Sequence, residues 1–281
     1  MSGQSLWSAG EILDSIDHKE EKIDVMWEAS GVSIDTRSLE EGDLFFALSG
    51  ENVDGHDFLR EAMDKGACAA VISGKREVHS ALPLICVENV TTALQQLGVA
   101  ARIRMSGKVV AVTGSVGKTS TKDMLKLVLG EVGCAVVSQG NLNNHLGLPL
   151  SLARIPPETD YVVLELGMNH PGEISQLTSI ARPHVAVITA IEAVHIQYFE
   201  SLDEVAKAKA EIFGGVEPNG SAVINFDSSH FDQLFQSAKQ SGVTNVFSFG
   251  ESTNADIQLL SVNLLSDHSI AQVSIRDQNF T

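Results

Sequence analysis

The run Thr113-Gly-Ser-Val-Gly-Lys-Thr-Ser120 follows four consecutive apolar residues, Val109–Val112, and opens a segment with helical spacing. Glycines let a tight backbone point its N–H groups at an anion, and a helix N-terminus adds its positive end. In such a loop Lys118 reaches the β- and γ-phosphates of a nucleotide, and the Thr119 hydroxyl faces Mg²⁺. Gly114, Ser115, Val116, Gly117 and Ser120 complete the expected ATP cradle. The longer phosphate-loop pattern asks for glycine at position 112, where Val112 stands, so the shorter Thr-Gly-x-x-Gly-Lys-Thr form is what this chain offers.

Such a loop needs a strand before it and a helix behind it. Val109 to Val112 suit a parallel strand covered on both faces. Leu125, Val128, Leu129 and Val132 recur at i, i+3, i+4 and i+7, which predicts the inward face of a helix over Lys118–Glu131. Apolar blocks at Ala135–Ser138, Tyr161–Leu166, Val185–Ala190 and Ala222–Phe226 alternate with helical stretches at Gly172–Ala181, Leu202–Val216 and His230–Ser241. That alternation predicts a doubly wound, mostly parallel sheet. Ligands of such sheets bind beyond the C-terminal ends of the strands. Glu165 closes one strand and is the expected magnesium ligand, against the plainer alternative of a strand-end carboxylate in water. His195 lies just past another; His56, His145 and His170 also adjoin glycine or asparagine, so spacing alone does not rank the histidines. The helix bearing Glu204, Lys207, Lys209 and Glu211 has the charge pattern of a solvated face.

Upstream, Ser8-Ala-Gly-Glu11 predicts a capping box opening a helix that runs to Ile16. Strands at Gly31–Ile34 and Asp43–Leu48, a helix over His56–Lys65, and apolar runs at Ala67–Ser73 and Leu82–Val87 make a small α/β unit. Thr91–Met105 reads as a helix bridging two domains, 1–88 and 89–281. The tail, 255–281, alternates apolar and polar residues as two or three antiparallel strands do.

A length of 281 residues suits two domains with cores of their own. Thirty-six acidic against 19 basic residues give a formal charge of −17, which excludes broad contact with nucleic acid or anionic lipid, so any anionic ligand must be held locally. Cys68, Cys86 and Cys134 lie far apart in apolar runs with no CxxC, which predicts buried free thiols and a reducing cytoplasm. No basic segment followed by an apolar stretch opens the chain, and no run approaches the roughly 18 apolar residues of a membrane span, so neither export nor membrane insertion is expected.

Taken together, Asp35-Thr-Arg37, Gly42–Leu48, Asp54-Gly-His-Asp-Phe58, Thr113–Thr121, Gly140-Asn-Leu-Asn-Asn144, Gly147-Leu-Pro149, Leu164–Ile174, His195 and Ala206–Phe213 resemble the Mur ligases of bacterial cell-wall synthesis, most closely the type that adds D-alanyl-D-alanine. The resemblance implies an N-terminal domain that holds a UDP-sugar, followed by a central ATPase domain. It also implies a reaction. The terminal carboxylate of UDP-N-acetylmuramoyl-tripeptide attacks the γ-phosphate of ATP, and the amine of D-alanyl-D-alanine displaces phosphate from the resulting acyl phosphate. Peptidoglycan precursor synthesis in the cytoplasm, by a monomer, is the setting so implied.

Carried over on matching positions, Lys118 and Thr119 hold phosphate and magnesium, Glu165 and His195 bind magnesium, and Lys209 matches a lysine that in the family can be carbamylated, turning a cation into an anionic metal ligand. The resemblance thereby reverses the solvated-face reading of Lys209. Ser33, Thr36, Arg37, Asp54 and His56 fall in the UDP-binding segment, and Asn141, Asn143 and Asn144 in a loop that meets substrate near the γ-phosphate. For each of these eight, a turn residue capping its own backbone is the alternative. Val116 replaces a small polar residue, and Ala190 stands where asparagine is common. The family's adenine-binding region and C-terminal domain have no counterpart, so the chain is expected to be a fragment. Two other readings stand beside this one: a Mur-type or folylpolyglutamate-type ligase with another amine, and a module that binds nucleotide or UDP-sugar without turnover.

Overall fold

The computed structural model describes residues 5–19, 26–50, 53–74, 82–193, 198–276 and 278–281. The chain forms two units, residues 1–106 with 139–158 and residues 107–138 with 159–281.

In the first unit, Trp7–Ser8 (β1) is followed by Ala9–Ser15 (α1), and β1 pairs antiparallel with Glu28–Ala29 (β2). The capping box forms: Glu11 N donates to Ser8 Oγ at 3.3 Å and Ser8 N to Glu11 Oε2 at 2.8 Å. Gly31–Ser33 (β3), Asp43–Phe46 (β4), Ala69–Ser73 (β5) and Leu84–Val87 (β6) make a four-stranded parallel sheet in that order, with Leu59–Asp64 (α2) between β4 and β5. The expected helix from His56 starts as a 3₁₀ turn over Gly55–Phe58. A core of Leu39, Phe45, Leu59, Ala62, Ala70, Ile72 and Leu82 covers one face.

Val90–Arg104 (α3) belongs to this first unit. The structural boundary therefore falls after residue 106, whereas residue 88 was expected. Buried Val90, Ala93, Leu94, Leu97 and Ala101 give α3 an apolar stripe that needs its own partner. It finds one in a helix from further along the chain, Gly147–Ala153, introduced below as α5. A Cβ at Gly98 would come within 2.8 Å of Pro149, so glycine permits the close approach. Trp7 Nε1 also donates to Ala153 O, at 2.8 Å. These contacts draw residues 139–158 out of the second unit's sequence span.

The second unit begins with Lys108–Thr113 (β7) and Lys118–Gly130 (α4), then Ala135–Val137 (β8). After α5 (Gly147–Ala153) come Tyr161–Glu165 (β9), Glu173–Ala181 (α6), Val185–Ile188 (β10), Leu202–Ala210 (α7), Ser221–Asn225 (β11), Phe231–Gln240 (α8) and Asn245–Gly250 (β12). Ile257–Leu264 (β13), Ser269–Ile275 (β14) and Gln278–Phe280 (β15) end the chain. Among the described residues the sheet order is β15-β14-β13-β12-β11-β10-β7-β9-β8, parallel from β8 through β13 and antiparallel beyond. The expected doubly wound sheet and antiparallel tail are both present. β7 lies where the winding reverses, the position at which such sheets bind ligands.

Three local expectations change. Leu125 and Leu129 pack on Val112, Val163 and Val187, but Val128 and Val132 are exposed. The inward line of α4 instead descends through Lys118, Lys122, Leu125 and Leu129, and Val132 falls beyond the helix end. The helix expected to reach Val216 changes to a 3₁₀ turn at Glu211–Gly215, where a Cβ on Gly215 would overlap Thr178 O of α6. Of the cysteines, none of which forms a disulfide among the described residues, Cys68 and Cys86 are half-buried and Cys134 is exposed. Burial raises the Cys68 thiol to about 11. No described helix is long and apolar enough to cross a membrane.

Candidate functional site

In the second unit the phosphate loop is the turn from β7 into α4. Gly114 has φ +151° and Gly117, the residue before the first turn of α4, has φ +82°, both in the region that glycine favours. The end of the neighbouring strand braces the loop. Thr189, just past β10, bonds through Oγ1 to Val116 O at 2.6 Å and to Thr113 O at 3.3 Å. Ser115 N donates to Ala190 O at 2.8 Å, and Ser115 Oγ both donates to Glu192 O and accepts from Glu192 N, each at 2.9 Å. A Cβ on Gly114 would overlap Thr189 Oγ1. The loop is thus fixed before any ligand arrives, which lowers the ordering cost of binding an anion. Thr189→Val removes a hydroxyl with two acceptors, worth about 1–2 kcal/mol. It should weaken Mg-ADP binding about tenfold by calorimetry; an unchanged affinity would show the brace to be irrelevant.

Lys118 Nζ donates to Gly114 O at 2.8 Å and Ser115 O at 3.4 Å, curled over its own loop. Burial holds its pKa below the usual lysine value, and Glu165 opposes that shift. Glu165 ends β9, directly beside β7, and is only 4% exposed. Its Oε2 accepts from Thr119 Oγ1 at 2.9 Å, and its backbone N donates to Ser138 Oγ at 3.1 Å. Two hard oxygen donors therefore adjoin at the mouth of the loop, the donor chemistry that Mg²⁺ takes. Among the described residues no three His, Cys, Asp or Glu side chains come together as a metal site. A cation held by Thr119 and Glu165 would draw its remaining oxygens from a ligand or water.

Lys209 in α7 is 5% exposed, whereas Lys207 beside it points to solvent. The charge pattern had suggested one solvated face for both. Burial, and then the positive field of Lys118, lower the Lys209 amine to about 7. Among the described residues it has no hydrogen-bond or ion-pair partner. Glu211, two residues on, accepts from Gly172 N at 2.8 Å and Ser175 N at 3.0 Å and so caps α6. His195 lies outside the described residues. Ser120 is exposed on the first turn of α4 and Val116 is exposed at the loop tip.

Sequence reasoning missed Thr189, Ser138 and above all Lys122. The last is 3% exposed, with Nζ donating to Ser138 O at 3.0 Å and lying 3.9 Å from Glu165 Oε2. A lysine in line with Leu125 and Leu129 at i+3 and i+7 was the available signal.

The remaining candidates lie in the first unit. Ser33 is fully buried at the end of β3, and its Oγ donates to Asp35 O at 3.0 Å. Thr36 is buried too, and its carbonyl accepts from Lys65 Nζ at 2.6 Å. Arg37 projects into solvent and clasps Asp35, holding that carboxylate below its usual range. Asp54 caps the 3₁₀ turn through His56 N at 3.1 Å and meets His56 Nδ1 at 2.6 Å. His56 Nε2 accepts from Ser73 N at 2.9 Å, so the ring proton resides on Nδ1 and the imidazole ties the turn to the end of β5. Both residues behave here as turn builders. Asn144 Oδ1 likewise accepts from Leu146 N and Gly147 N, opening α5, while Asn141 and Asn143 sit in the preceding turn.

Comparison with known proteins covers both units. Residues 112–280 match the family described as Mur ligase middle domain, and residues 28–102 match that described as Mur ligase family, catalytic domain. A UDP-N-acetylmuramoyl-tripeptide--D-alanyl-D-alanine ligase of Rickettsia prowazekii is 40% identical over 247 residues, 88% of this chain and 55% of that protein. MurF from Acinetobacter baumannii superposes with a TM-score of 0.86 at 32% identity, over 98% of this chain and 59% of that one. MurF ligase from Thermotoga maritima, in complex with ADP, gives 0.76 at 31% identity, over 89% and 57%. The chain spans about half the length of the curated relatives it matches.

Proposed function

The chain belongs to the Mur ligase family, and from that premise we propose that it carries the ATP-binding and UDP-precursor-binding parts of a ligase joining D-alanyl-D-alanine to UDP-N-acetylmuramoyl-tripeptide. One observation carries the reading: a braced phosphate loop whose Thr119 hydroxyl meets the buried Glu165 carboxylate of the next strand at 2.9 Å. The relatives named as ligases of this dipeptide supply the substrate class.

In this reading the substrate carboxylate attacks the γ-phosphorus of ATP and ADP leaves. The dipeptide amine then attacks the acyl carbon, loses its proton and releases phosphate. A carboxylate resists amines until its oxygen becomes a leaving group, so the protein's task is positioning and charge neutralisation. The N–H groups of Gly114 and residues 116–118, with that of Ser115 committed to Ala190 O, and the Lys118 ammonium, released from the loop carbonyls it now holds, take the phosphates. Thr119 and Glu165, with His195, would hold Mg²⁺, which neutralises charge on the transferring phosphoryl group. Lys209 suits carbamylation because a buried amine with a pKa of about 7 is about half in its neutral, nucleophilic form at neutral pH, where an ordinary lysine is almost wholly protonated; its carbamate would add an anionic oxygen ligand. Buried Ser33 and Thr36 shape the loop that presents Arg37 to a UDP diphosphate, with Asp54 and His56 bracing the neighbouring turn. Asn141, Asn143 and Asn144 face substrate. The setting is the cytoplasm, where such precursors are made.

The test uses the 281-residue chain. Mg-ATP and the UDP-precursor should each bind, and Lys118→Ala should lose at least about a hundredfold in ATP affinity while staying folded. No ATP binding, or a Lys118→Ala variant that binds as well as wild type, would overturn the reading. Phosphate release in single turnover with D-alanyl-D-alanine, meso-diaminopimelate, lysine or glutamate then reports the amine: release with any of the last three would replace the dipeptide assignment.

A further inference from the structure

Lys122 is not one of the loop's own phosphate ligands, yet it is the best-buried charge on α4. Its position follows from helix geometry: four residues after Lys118 and three after Thr119, it lies one turn below both on the same face. The side chains of Lys122 and Glu165 are 4% and 6% exposed, and their charged atoms stand 3.9 Å apart. Ser138 ties the two together, its carbonyl accepting from Lys122 Nζ and its hydroxyl from Glu165 N. Glu165 Oε2 is bracketed by the Thr119 hydroxyl on one side and the Lys122 ammonium on the other.

Burying a lysine carries a large desolvation cost, which the Ser138 carbonyl and Glu165 offset. A methionine would fill the space on that face without such a cost. The consequence for the site is electrostatic. Lys118 and Lys122 together set two positive charges against the one carboxylate, so a divalent cation approaching Thr119 and Glu165 alone meets a net repulsion. A nucleotide diphosphate or triphosphate reverses that sign.

We infer that Lys122 is a positioning residue that holds the Glu165 carboxylate against Thr119 and supplies its countercharge, so that the site takes up a divalent cation only together with a nucleotide. This rests on the ATP-site reading above, and the test separates the two. Mn²⁺ is titrated into the full 281-residue chain and followed by electron paramagnetic resonance, with and without ADP, for wild type, Glu165→Gln, Lys122→Gln and the double variant. The Glu165→Gln comparison removes adventitious sites on this acidic protein from the count.

In wild type a Glu165-dependent Mn²⁺ site is expected only when ADP is present. Lys122→Gln, whose amide can still donate to Ser138 O, should gain a nucleotide-free site at least about tenfold tighter than wild type, and the double variant should lose it again. A residue with a merely structural role gives no such gain. Wild type binding Mn²⁺ through Glu165 equally well without ADP would overturn the inference, and so would a folded Lys122→Gln variant with no gain. If Lys122→Gln does not fold, Lys122→Met, which fills the same space without the charge, takes its place in the same titrations and is expected to show the same gain. Failure of ADP to bind wild type strikes the ATP-site reading instead, and the nucleotide-free titrations continue to report on Lys122.

Discussion

Replacing Gly114 with alanine is expected to lower the melting temperature by about 5–10 °C and to weaken Mg-ATP binding by at least about a hundredfold. Two costs combine. A residue with a Cβ is strained at φ +151°, by about 1–3 kcal/mol. The new methyl also overlaps Thr189 Oγ1, which must then release Val116 O, at about 1 kcal/mol more. The displaced segment is the one whose N–H groups face the phosphates. Gly117→Ala is the internal comparison, since its Cβ would rest 3.7 Å from Thr189 with no overlap and only the φ of +82° to oppose it. Thermal melts and calorimetric titrations of the two variants should rank Gly114→Ala well below Gly117→Ala. Equal effects would mean that the Thr189 brace plays no part in shaping the loop.

The second large effect has the opposite sign. Lys209→Met should stabilise the chain at pH 7 by about 2 kcal/mol or more, because it removes an amine whose burial favours the neutral form. The lysine pKa is about 7 in the folded chain against the ordinary 10.5. Between those values the unfolded chain binds more protons, so the stability of wild type rises with pH across that window, by up to about 1.4 kcal/mol per pH unit. Below pH 7 the penalty is fully present, and near pH 10.5 it has gone. Urea denaturation in buffers depleted of carbon dioxide, so that the free amine is what is measured, should show the variant's advantage at pH 7 shrinking steadily towards pH 10. A gap that is absent at pH 7, or that widens with pH, would contradict the placement of Lys209. In the ligase we propose, the same substitution should abolish function, since on that reading the amine is kept at a cost in stability in order to be carboxylated.

Neither effect could have been ranked without the fold. The sequence around Gly114 identified a phosphate loop, yet Thr189 lies 75 positions away and reaches the loop only because β10 pairs beside β7. Asp54 and His56 matched a family segment, but their mutual bond and the Ser73 contact are decided by the end of β5. The N-terminal unit was legible as an α/β unit from its apolar runs, but not its extent: residues 139–158 join it because the α3 stripe needs α5 as a cover. That pairing is a long-range packing choice, invisible to local periodicity.

The amino-acid sequence by itself determined the strand-loop-helix of the phosphate loop, the alternation that yields a doubly wound sheet, the capping box at Ser8 and the family. Each rests on interactions between residues close in the chain, or on a motif whose backbone geometry demands particular residue types. Tertiary structure alone decided which lysines are buried. Lys207 and Lys209 share a helix and a residue type, yet one faces water and the other lies in the field of Lys118. Lys122, which no motif singles out, meets a countercharge only because the strand order sets β9, with Glu165, beside β7. A charge's surroundings depend on which elements pack over it, and strand order fixes those through contacts between distant segments that no local pattern records.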